Sequence, residues 1–266
     1  MKSIKELLLT FLISTALINV NAQTEEEKIA QQLQNPLASI TSLPIQHNFT
    51  NGIPGLESST YTMSLQPVMA VDYGKFSIVH RGVFGVSYLP KSESGDAHKM
   101  GVTDFNYSFF FAPKKKLGKL AWGIGPSLDM PTATDPLLGS GKWSVGGSIV
   151  GVYQQNKWTL DMVFRQTMSF AGDEDRGNVS RFVGQTLIAY SLGNGWVVNT
   201  YPTITANWNA EKGQKWTIPV GGGINKLVFF GKMPVNFGAQ YYQNVVRPDY
   251  AGKSEFRLIT TFVFSK

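Results

Sequence analysis

A nearly regular alternation of apolar and polar residues over residues 157–170 is the feature that most limits what this chain can fold into. Successive side chains of a β-strand point to opposite faces. The segment KWTLDMVFRQTMSF therefore predicts a strand with an apolar, aromatic face that includes Trp158 and Phe164. Its other face is polar and includes Asp161 and Arg165. The same pattern recurs along the chain, which predicts many two-faced strands.

Twelve segments with this pattern can be counted, and short turns alternate with longer loops between them. This alternation is typical of a closed outer-membrane barrel, and an even strand number returns both ends of the chain to the same side. The first segment is the least regular because Pro44 lies in it and Gly52 follows it, so residues 35–50 could instead fold into the barrel as a plug. The predicted strands are residues 41–50, 58–71, 75–89, 102–113, 119–130, 142–154, 157–170, 178–191, 196–208, 215–229, 232–246 and 253–264.

The sheet is predicted to close into a barrel, because its apolar face requires the hydrocarbon of a membrane. In hydrocarbon every backbone donor and acceptor must be paired, so an open sheet edge is excluded. Trp rings prefer the depth of the membrane interface, although any single one could instead pack at a strand end for ordinary reasons. The sequence thus predicts an all-β fold, a transmembrane antiparallel β-barrel of about 12 strands with a short N-terminal helix or plug segment. Five Trp residues lie near predicted strand ends: Trp143, Trp158, Trp196, Trp208 and Trp216.

The first forty residues divide into two parts. Residues 1–22 have a basic start, an apolar stretch and a small-residue exit, which predicts a secretory signal peptide, with an uncleaved anchor as the alternative. Residues 23–40 are predicted to be the helix or plug segment, because residues 24–33 are helix-like and begin with acidic residues. Asn35-Pro36 then ends the helix. The barrel is predicted to occupy residues 41–266.

Composition excludes several kinds of chemistry. The chain has no Cys, so a disulfide framework, thiol catalysis and thiolate metal ligands are excluded. Charged residues are 16% of the chain and form no basic stripe of the kind that binds nucleic acid. We therefore expect no cofactor, metal or nucleic-acid partner. The expected partners are outer-membrane lipid and lipopolysaccharide, a small-molecule solute and the barrel-insertion machinery.

Several short segments, in the same order along the chain, resemble one known family. They include NPLASITSLPIQHNF (residues 35–49), WGIGPSLDMPTATD (122–135), SFAGDEDRGNV (169–179) and GKMPVNFGAQYYQNVVRPDY (231–250). The chain resembles the outer-membrane transporter family associated with the meta-pathway of phenol degradation, whose members are sometimes mislabelled neuromedin U. The resemblance implies an outer-membrane barrel of a Gram-negative bacterium that passes small, hydrophobic or aromatic solutes.

The chain departs from this family at two places. The glycines at 221–223 are followed by Ile224-Asn225, where a further glycine is expected. In such barrels the last residue is usually aromatic. Here the last aromatic residue is Phe264, two residues before the end of the sequence, and this displacement could weaken recognition by the insertion machinery.

Strand parity assigns candidate residues to the lumen. Arg165, Arg181 and Arg257, opposite Asp104, Asp161 and Glu255, could form a charged constriction that selects solutes, or the charges could simply neutralise one another. The candidate lumen residues are Arg81, Asp104, Asp129, Asp161, Arg165, Arg181, Gln185, Tyr242, Glu255 and Arg257.

Three further segments carry candidate features. In loop 131–141, Leu137 and Leu138 could meet an oily solute, or the loop could pack on its neighbours or into the barrel mouth. Residues 172–177 contain three consecutive acidic residues, which could bind Ca²⁺. The segment lacks the spaced ligands of a calcium loop, so a solvated turn is the preferred interpretation. The glycines at 221–223 are interpreted as letting a neighbouring side chain or the plug approach the wall. The candidate residues of the external loop are Pro131, Thr132, Thr134, Asp135, Leu137 and Leu138.

Catalysis is the rival class of function. The chain has three His residues, His47, His80 and His98, and parity places His80 on the outer face. No Ser or Asn partner can be placed beside it from sequence. We therefore expect a non-enzymatic channel for passive uptake, with a structural or adhesion barrel without transport as the alternative. A lipid-modifying enzyme is a weaker third interpretation.

Overall fold

The computed structural model describes residues 25–264. The predicted signal peptide at residues 1–22 and the last two residues lie outside the described part. The described chain forms one helix and fifteen strand segments. They are α1 (Glu25–Leu33), β1 (Thr41–Asn51), β2 (Thr60–Leu65), β3 (Val68–Tyr73), β4 (Phe76–Leu89), β5 (Lys99–Val102), β6 (Phe105–Pro113), β7 (Leu120–Met130), β8 (Lys142–Gln155), β9 (Trp158–Gly172), β10 (Ser180–Gly193), β11 (Trp196–Thr200), β12 (Thr203–Asn207), β13 (Trp216–Phe230), β14 (Met233–Val246) and β15 (Ser254–Phe264).

The segments close into a twelve-strand antiparallel barrel, as predicted. β2 with β3, β5 with β6, and β11 with β12 each form one strand of the wall. The last strand pairs with the first in a regular register from Thr41↔Phe264 to Asn51↔Ser254. β1 is thus part of the wall, and the alternative that residues 35–50 form a plug is wrong for its strand portion. No helix in residues 25–264 is long and apolar enough to cross a membrane.

The wall has two different ends. Connections at residues 74–75, 156–157, 194–195 and 231–232 are tight, and we call this side the turn end. Connections such as 90–98, 131–141 and 247–253 are longer and lie at the opposite side, the loop end. The alternation of short and long connections therefore agrees with the sequence pattern, and both β1 and β15 meet the turn end.

Three wall strands that the sequence predicted as continuous are interrupted. Two interruptions coincide with Gln66-Pro67 and Tyr201-Pro202, since proline has no N–H to donate to a sheet. At the second, the Tyr201 N–H donates to the Tyr242 hydroxyl at 2.8 Å. The third falls at Thr103-Asp104 between β5 and β6. The break at Tyr201 turns backbone polar groups away from the wall and towards lumen side chains.

The two faces of the wall differ as the alternation predicts. On β9, Leu160 and Met162 are exposed on the outside, whereas Thr159, Asp161 and Thr167 are buried inside. Of the five Trp residues near strand ends, two lie at the turn end and three at the loop end, which is the placement of two interfacial rings. The turn-end pair is Trp158 and Trp196, and the loop-end set is Trp143, Trp208 and Trp216.

The glycines at 221–223 have a different role from the one interpreted from sequence. A Cβ on Gly221 would lie 2.0 Å from the Tyr241 carbonyl oxygen, and one on Gly223 would lie 1.9 Å from that of Ala239. The backbone of the adjacent strand β14 approaches these positions, rather than a side chain or the plug. Only glycine permits this approach between the two strands.

Candidate functional site

The N-terminal part of the described chain packs inside the turn end of the barrel. We call residues 25–40 the plug segment. Ala30 of α1 is buried against Leu187, Val197 and Leu227 of the wall. Leu37 packs on a second apolar cluster that includes Val79, Phe110, Val150 and Val163. An isolated helix as short as α1 is marginal in water, so its conformation depends on this packing.

The plug segment is also tied to the wall by hydrogen bonds. Gln154 Nε2 donates to the Gln31 carbonyl at 2.8 Å, and Gln31 Nε2 donates to the Asn156 carbonyl at 2.9 Å. The Glu27 carboxylate accepts from the Asn194 N–H at 3.2 Å. Each such bond contributes only about 1 kcal/mol net. The segment is therefore held by a limited set of contacts and belongs to no strand of the wall.

We expect Leu37→Asp to release the plug segment from the lumen. The substitution places a carboxylate in an apolar cluster, where an unpaired ion costs several kcal/mol. Cleavage by trypsin after the exposed Lys28 should become faster, because proteolysis requires the helix to open locally. Gln32→Glu, which adds the same charge at an exposed position of α1, is the matched control and should leave the rate near that of the wild type. Equal rates for both variants would contradict the packing role of Leu37.

Above the plug segment, polar side chains span the lumen. Arg81 of β4 donates through Nη2 to Gln66 Oε1 at 2.9 Å and to Gln185 Oε1 at 3.1 Å. Gln185 lies on β10, which is separated from β4 by four strands of the wall on one side. The contact between Arg81 and Gln185 therefore crosses the barrel and narrows the lumen.

A second polar cluster surrounds Arg257, which is 5% exposed. Its guanidinium pairs with Glu255 at 2.7 Å and donates to Asn48 Oδ1 at 3.1 Å and to the Tyr201 carbonyl at 3.2 Å. The guanidinium carbon lies 5.1 Å from the centre of the Tyr242 ring. The cluster thus joins β1, β14 and β15 to the interruption between β11 and β12.

A third cluster lies nearer the loop end. Arg165 and Asp129 form an ion pair at 3.0 Å, and Asp129 also accepts from Asn106 at 2.7 Å and from Thr167 at 2.8 Å. Arg181 is exposed and forms no ion pair within residues 25–264. Of the charges predicted to face one another, the structure pairs Arg257 with Glu255, two residues away on the same strand, and pairs Arg165 with Asp129 instead.

Asp104 holds the external loop. Its carboxylate accepts from Ser140 N at 2.7 Å, from Ser140 Oγ at 2.8 Å and from Ala133 N at 3.2 Å. Asp104 is therefore engaged by the loop, and no ion pair joins it to an arginine within residues 25–264. The carboxylate fixes both ends of loop 131–141 beside the barrel mouth.

Loop 131–141 packs on its neighbours, as one of the two sequence interpretations proposed. Asp135 pairs with Lys99 at 3.5 Å. Thr134 Oγ1 accepts from the Val102 N–H at 3.0 Å, and Thr132 Oγ1 donates to the Thr103 carbonyl at 3.1 Å. Of the two leucines, Leu137 is 69% exposed, whereas Leu138 lies against Gly101. Pro131 begins the loop directly after β7.

The acidic segment 172–177 is joined to the same loop. Arg176 Nη2 donates to the Gly139 carbonyl at 2.7 Å, and the Asp173 carboxylate accepts from the Asp175 N–H at 3.0 Å. Within residues 25–264, no group of three or more His, Asp or Glu side chains is arranged to hold a metal ion. The segment has the contacts of a turn.

A cavity of about 180 Å³ lies between the plug segment and the polar clusters. Its floor is formed by plug residues such as Leu33 and Pro36, and Arg81, Asp161 and Gln240 lie along its wall. Arg81 and Asp161 were both assigned to the lumen by parity, but the expectation of a polar inner face is wrong near the turn end. Apolar residues stand at inward positions there because the plug segment covers them. They are Val79, Phe110, Val150, Val152, Val163, Leu187, Ala189, Val197 and Leu227.

Comparisons with known proteins agree with the architecture. No protein-family model and no curated protein matches the sequence. Among solved structures, an outer-membrane channel from Pseudomonas putida F1 matches with a TM-score of 0.62 and 17% identity, over 85% of this chain and 94% of that one. The NanC porin matches with a TM-score of 0.52 and 11% identity, over 84% of this chain and 100% of that one. The fold is that of an outer-membrane β-barrel.

His80 lies on the outer face, as parity predicts, and its surroundings are aromatic. Its Nδ1 lies 2.6 Å from the Tyr107 hydroxyl, and its ring centre is 6.4 Å from that of Phe109. Within residues 25–264, no Ser or Asn side chain is hydrogen-bonded to His80. The geometry of a hydrolytic triad is therefore not assembled around this residue.

Proposed function

We propose that this protein is a passive channel of the Gram-negative outer membrane that admits small, hydrophobic or aromatic solutes. The observation that carries the proposal is the position of the plug segment. It closes the turn end of the lumen, yet it belongs to no strand of the wall. The lumen can therefore open without breaking the barrel.

The solute class is supported by two features. The cavity above the plug segment has apolar side chains such as Val79, Phe110 and Leu187 among its lining. The sequence resembles transporters associated with phenol degradation in segments such as residues 122–135 and 231–250. A narrow lumen crossed by Arg81 and Gln185 restricts passage to small molecules.

Inward charges would influence which solutes pass. Arg181 is exposed at the loop end, whereas Arg165 and Arg257 are held in ion pairs. The chain contains no nucleotide-binding or catalytic motif that would couple transport to energy, so solutes would move down their gradient. The apolar outer face would contact membrane lipid and lipopolysaccharide, and the barrel-insertion machinery would place the protein in the membrane.

A structural or adhesion barrel without transport is the alternative function. The observation that favours it is the filling of the lumen, where the plug segment and the contact between Arg81 and Gln185 both obstruct the path. In that case the interior polar clusters would serve stability alone. A lipid-modifying enzyme has less support, because the outward His80 is hydrogen-bonded to Tyr107.

Uptake into liposomes tests the proposal. We would compare phenol, a short fatty acid and a small sugar, with the wild type, a deletion of residues 25–40 and Leu37→Asp. We expect phenol to enter faster than the sugar, and both the deletion and Leu37→Asp to raise uptake because the turn end opens. Uptake no faster than through protein-free liposomes in every variant would reject the channel and leave the structural role.

A further inference from the structure

The cavity above the plug segment contains a carboxylate oxygen without a partner. Asp161 is 5% exposed and lies on the cavity wall. The Leu187 backbone lies within hydrogen-bonding range of the Asp161 carboxyl group. Oδ1 of that group is nevertheless buried and accepts no hydrogen bond within the described chain. Burying a polar atom without a hydrogen-bond partner costs about 1–3 kcal/mol of folding free energy. A ligand that donated a hydrogen bond to Oδ1 would recover this loss.

Arg81 provides a donor on the same cavity wall. Its Nη2 is used by Gln66 and Gln185, whereas its Nη1 and Nε make no hydrogen bond within residues 25–264. Arg81 attracts Asp161 electrostatically, but the two side chains do not form an ion pair. A free acceptor and a free donor therefore lie on the same cavity wall without direct contact.

The cavity also offers apolar surface to a ring, between polar side chains that include Gln46 and Gln240. Val163 and Ile259 lie on the wall, and Leu33 and Pro36 of the plug segment lie on the floor. The volume of about 180 Å³ is slightly larger than the cavity of about 150 Å³ that accommodates benzene in another protein. One ring with a small substituent therefore fits the space.

We propose that this cavity is a binding site for an uncharged, ring-sized molecule with a hydroxyl group that bridges Asp161 and Arg81. The hydroxyl would donate to Asp161 Oδ1 and accept from Arg81, and the ring would contact the apolar lining. This inference rests on the proposed function, since the site would bind the transported solute on its path through the lumen. Asp161 and Arg81 would then determine specificity.

Other chemical classes fit the two polar groups less well. A hydrocarbon leaves both groups without partners. A carboxylate can accept from Arg81 but has no hydrogen to donate to Asp161 Oδ1, and an ammonium group can donate to Asp161 but has no acceptor for Arg81 and is repelled by it. A hydroxyl is both donor and acceptor, so it satisfies the two groups together.

Equilibrium binding to the detergent-solubilised protein tests the site without measuring transport. Titration calorimetry with phenol, toluene and benzoate compares three molecules that share a ring and differ in the polar group. We expect saturable binding of phenol at one site, with weaker binding of toluene and of benzoate. Toluene or benzoate binding as tightly as phenol would overturn the proposal.

Variants assign the binding to Asp161. Asp161→Leu should weaken phenol binding by about tenfold, because the hydrogen bond between the phenol hydroxyl and Asp161 Oδ1 is lost. Asp161→Asn keeps an acceptor oxygen at this position, so we expect a smaller loss. Ser144→Ala is the matched control, because Ser144 Oγ is also buried without a partner but does not line the cavity. Unchanged affinity in Asp161→Leu would overturn the proposal.

Deletion of residues 25–40 separates this inference from the channel function. The deletion removes the cavity floor, so phenol binding should be lost while uptake rises. Uptake without saturable binding to the wild type would reject the site and leave the channel proposal standing. Binding without uptake by any variant would reject the channel and leave the site.

Discussion

Arg257→Met should lower the free energy of unfolding of the barrel by about 3 kcal/mol, because it leaves the partly buried Glu255 carboxylate and the Tyr201 carbonyl without their donor, and each unsatisfied buried acceptor costs about 1–3 kcal/mol. Arg257 is almost completely buried, and its guanidinium satisfies Glu255, Asn48 and the Tyr201 carbonyl. Methionine fills part of the volume but donates no hydrogen bond. Urea unfolding in lipid vesicles, followed by Trp fluorescence, measures the change.

Arg181→Met is the matched control for Arg257→Met. Arg181 is also an inward arginine of the wall, but it is exposed and forms no ion pair within the described residues. Its replacement should change the free energy of unfolding by no more than about 0.5 kcal/mol. Equal effects of the two substitutions would show that the Arg257 cluster does not stabilise the barrel beyond an ordinary inward charge.

Phe164→Arg should strongly impair insertion into a bilayer. Phe164 lies on the outer face of β9, pairs across the sheet with Ile149 and packs on Phe182 with ring centres 5.8 Å apart. A cation on the lipid face at the middle of the bilayer costs about 2–4 kcal/mol. The fraction of protein that shows the heat-modifiable, folded gel band after refolding into vesicles measures the effect.

Two variants control for the Phe164 substitution. Phe164→Leu removes the ring but keeps an apolar side chain, so insertion should remain close to that of the wild type. Asp161→Asn changes a polar residue on the lumen face of the same strand and should leave folding nearly intact. If Asp161→Asn blocked insertion and Phe164→Arg did not, the assignment of the inner and outer faces would be reversed.

The wall of the barrel could be predicted from the sequence because its signal is local. Alternation over 157–170 places Phe164 outside and Asp161 inside without knowledge of any other strand. Pro202 was visible in the sequence, but residues 196–208 were predicted as one strand and the interruption was missed. The acceptor of the Tyr201 N–H is the Tyr242 hydroxyl, which lies 41 residues further along the chain and could not be identified from sequence.

The candidate site was only partly predictable. Parity assigned Arg81, Asp161 and Gln185 to the lumen, but it could not show that Arg81 meets Gln185 across the barrel or that Asp161 Oδ1 stays without a partner. The apolar inner positions at the turn end were missed. The available signal was the presence of Val79, Val150 and Val163 at inward positions, which is unexpected for a water-filled lumen.

The sequence by itself determined the strand periodicity and the face on which each side chain lies, since these depend on neighbouring residues alone. The tertiary structure decided which charges pair, what fills the lumen and where a cavity remains. Those features arise when closure brings distant strands to opposite sides of one interior. Leu37 illustrates the difference, because its sequence neighbours do not indicate that it packs on Val79 and Phe110.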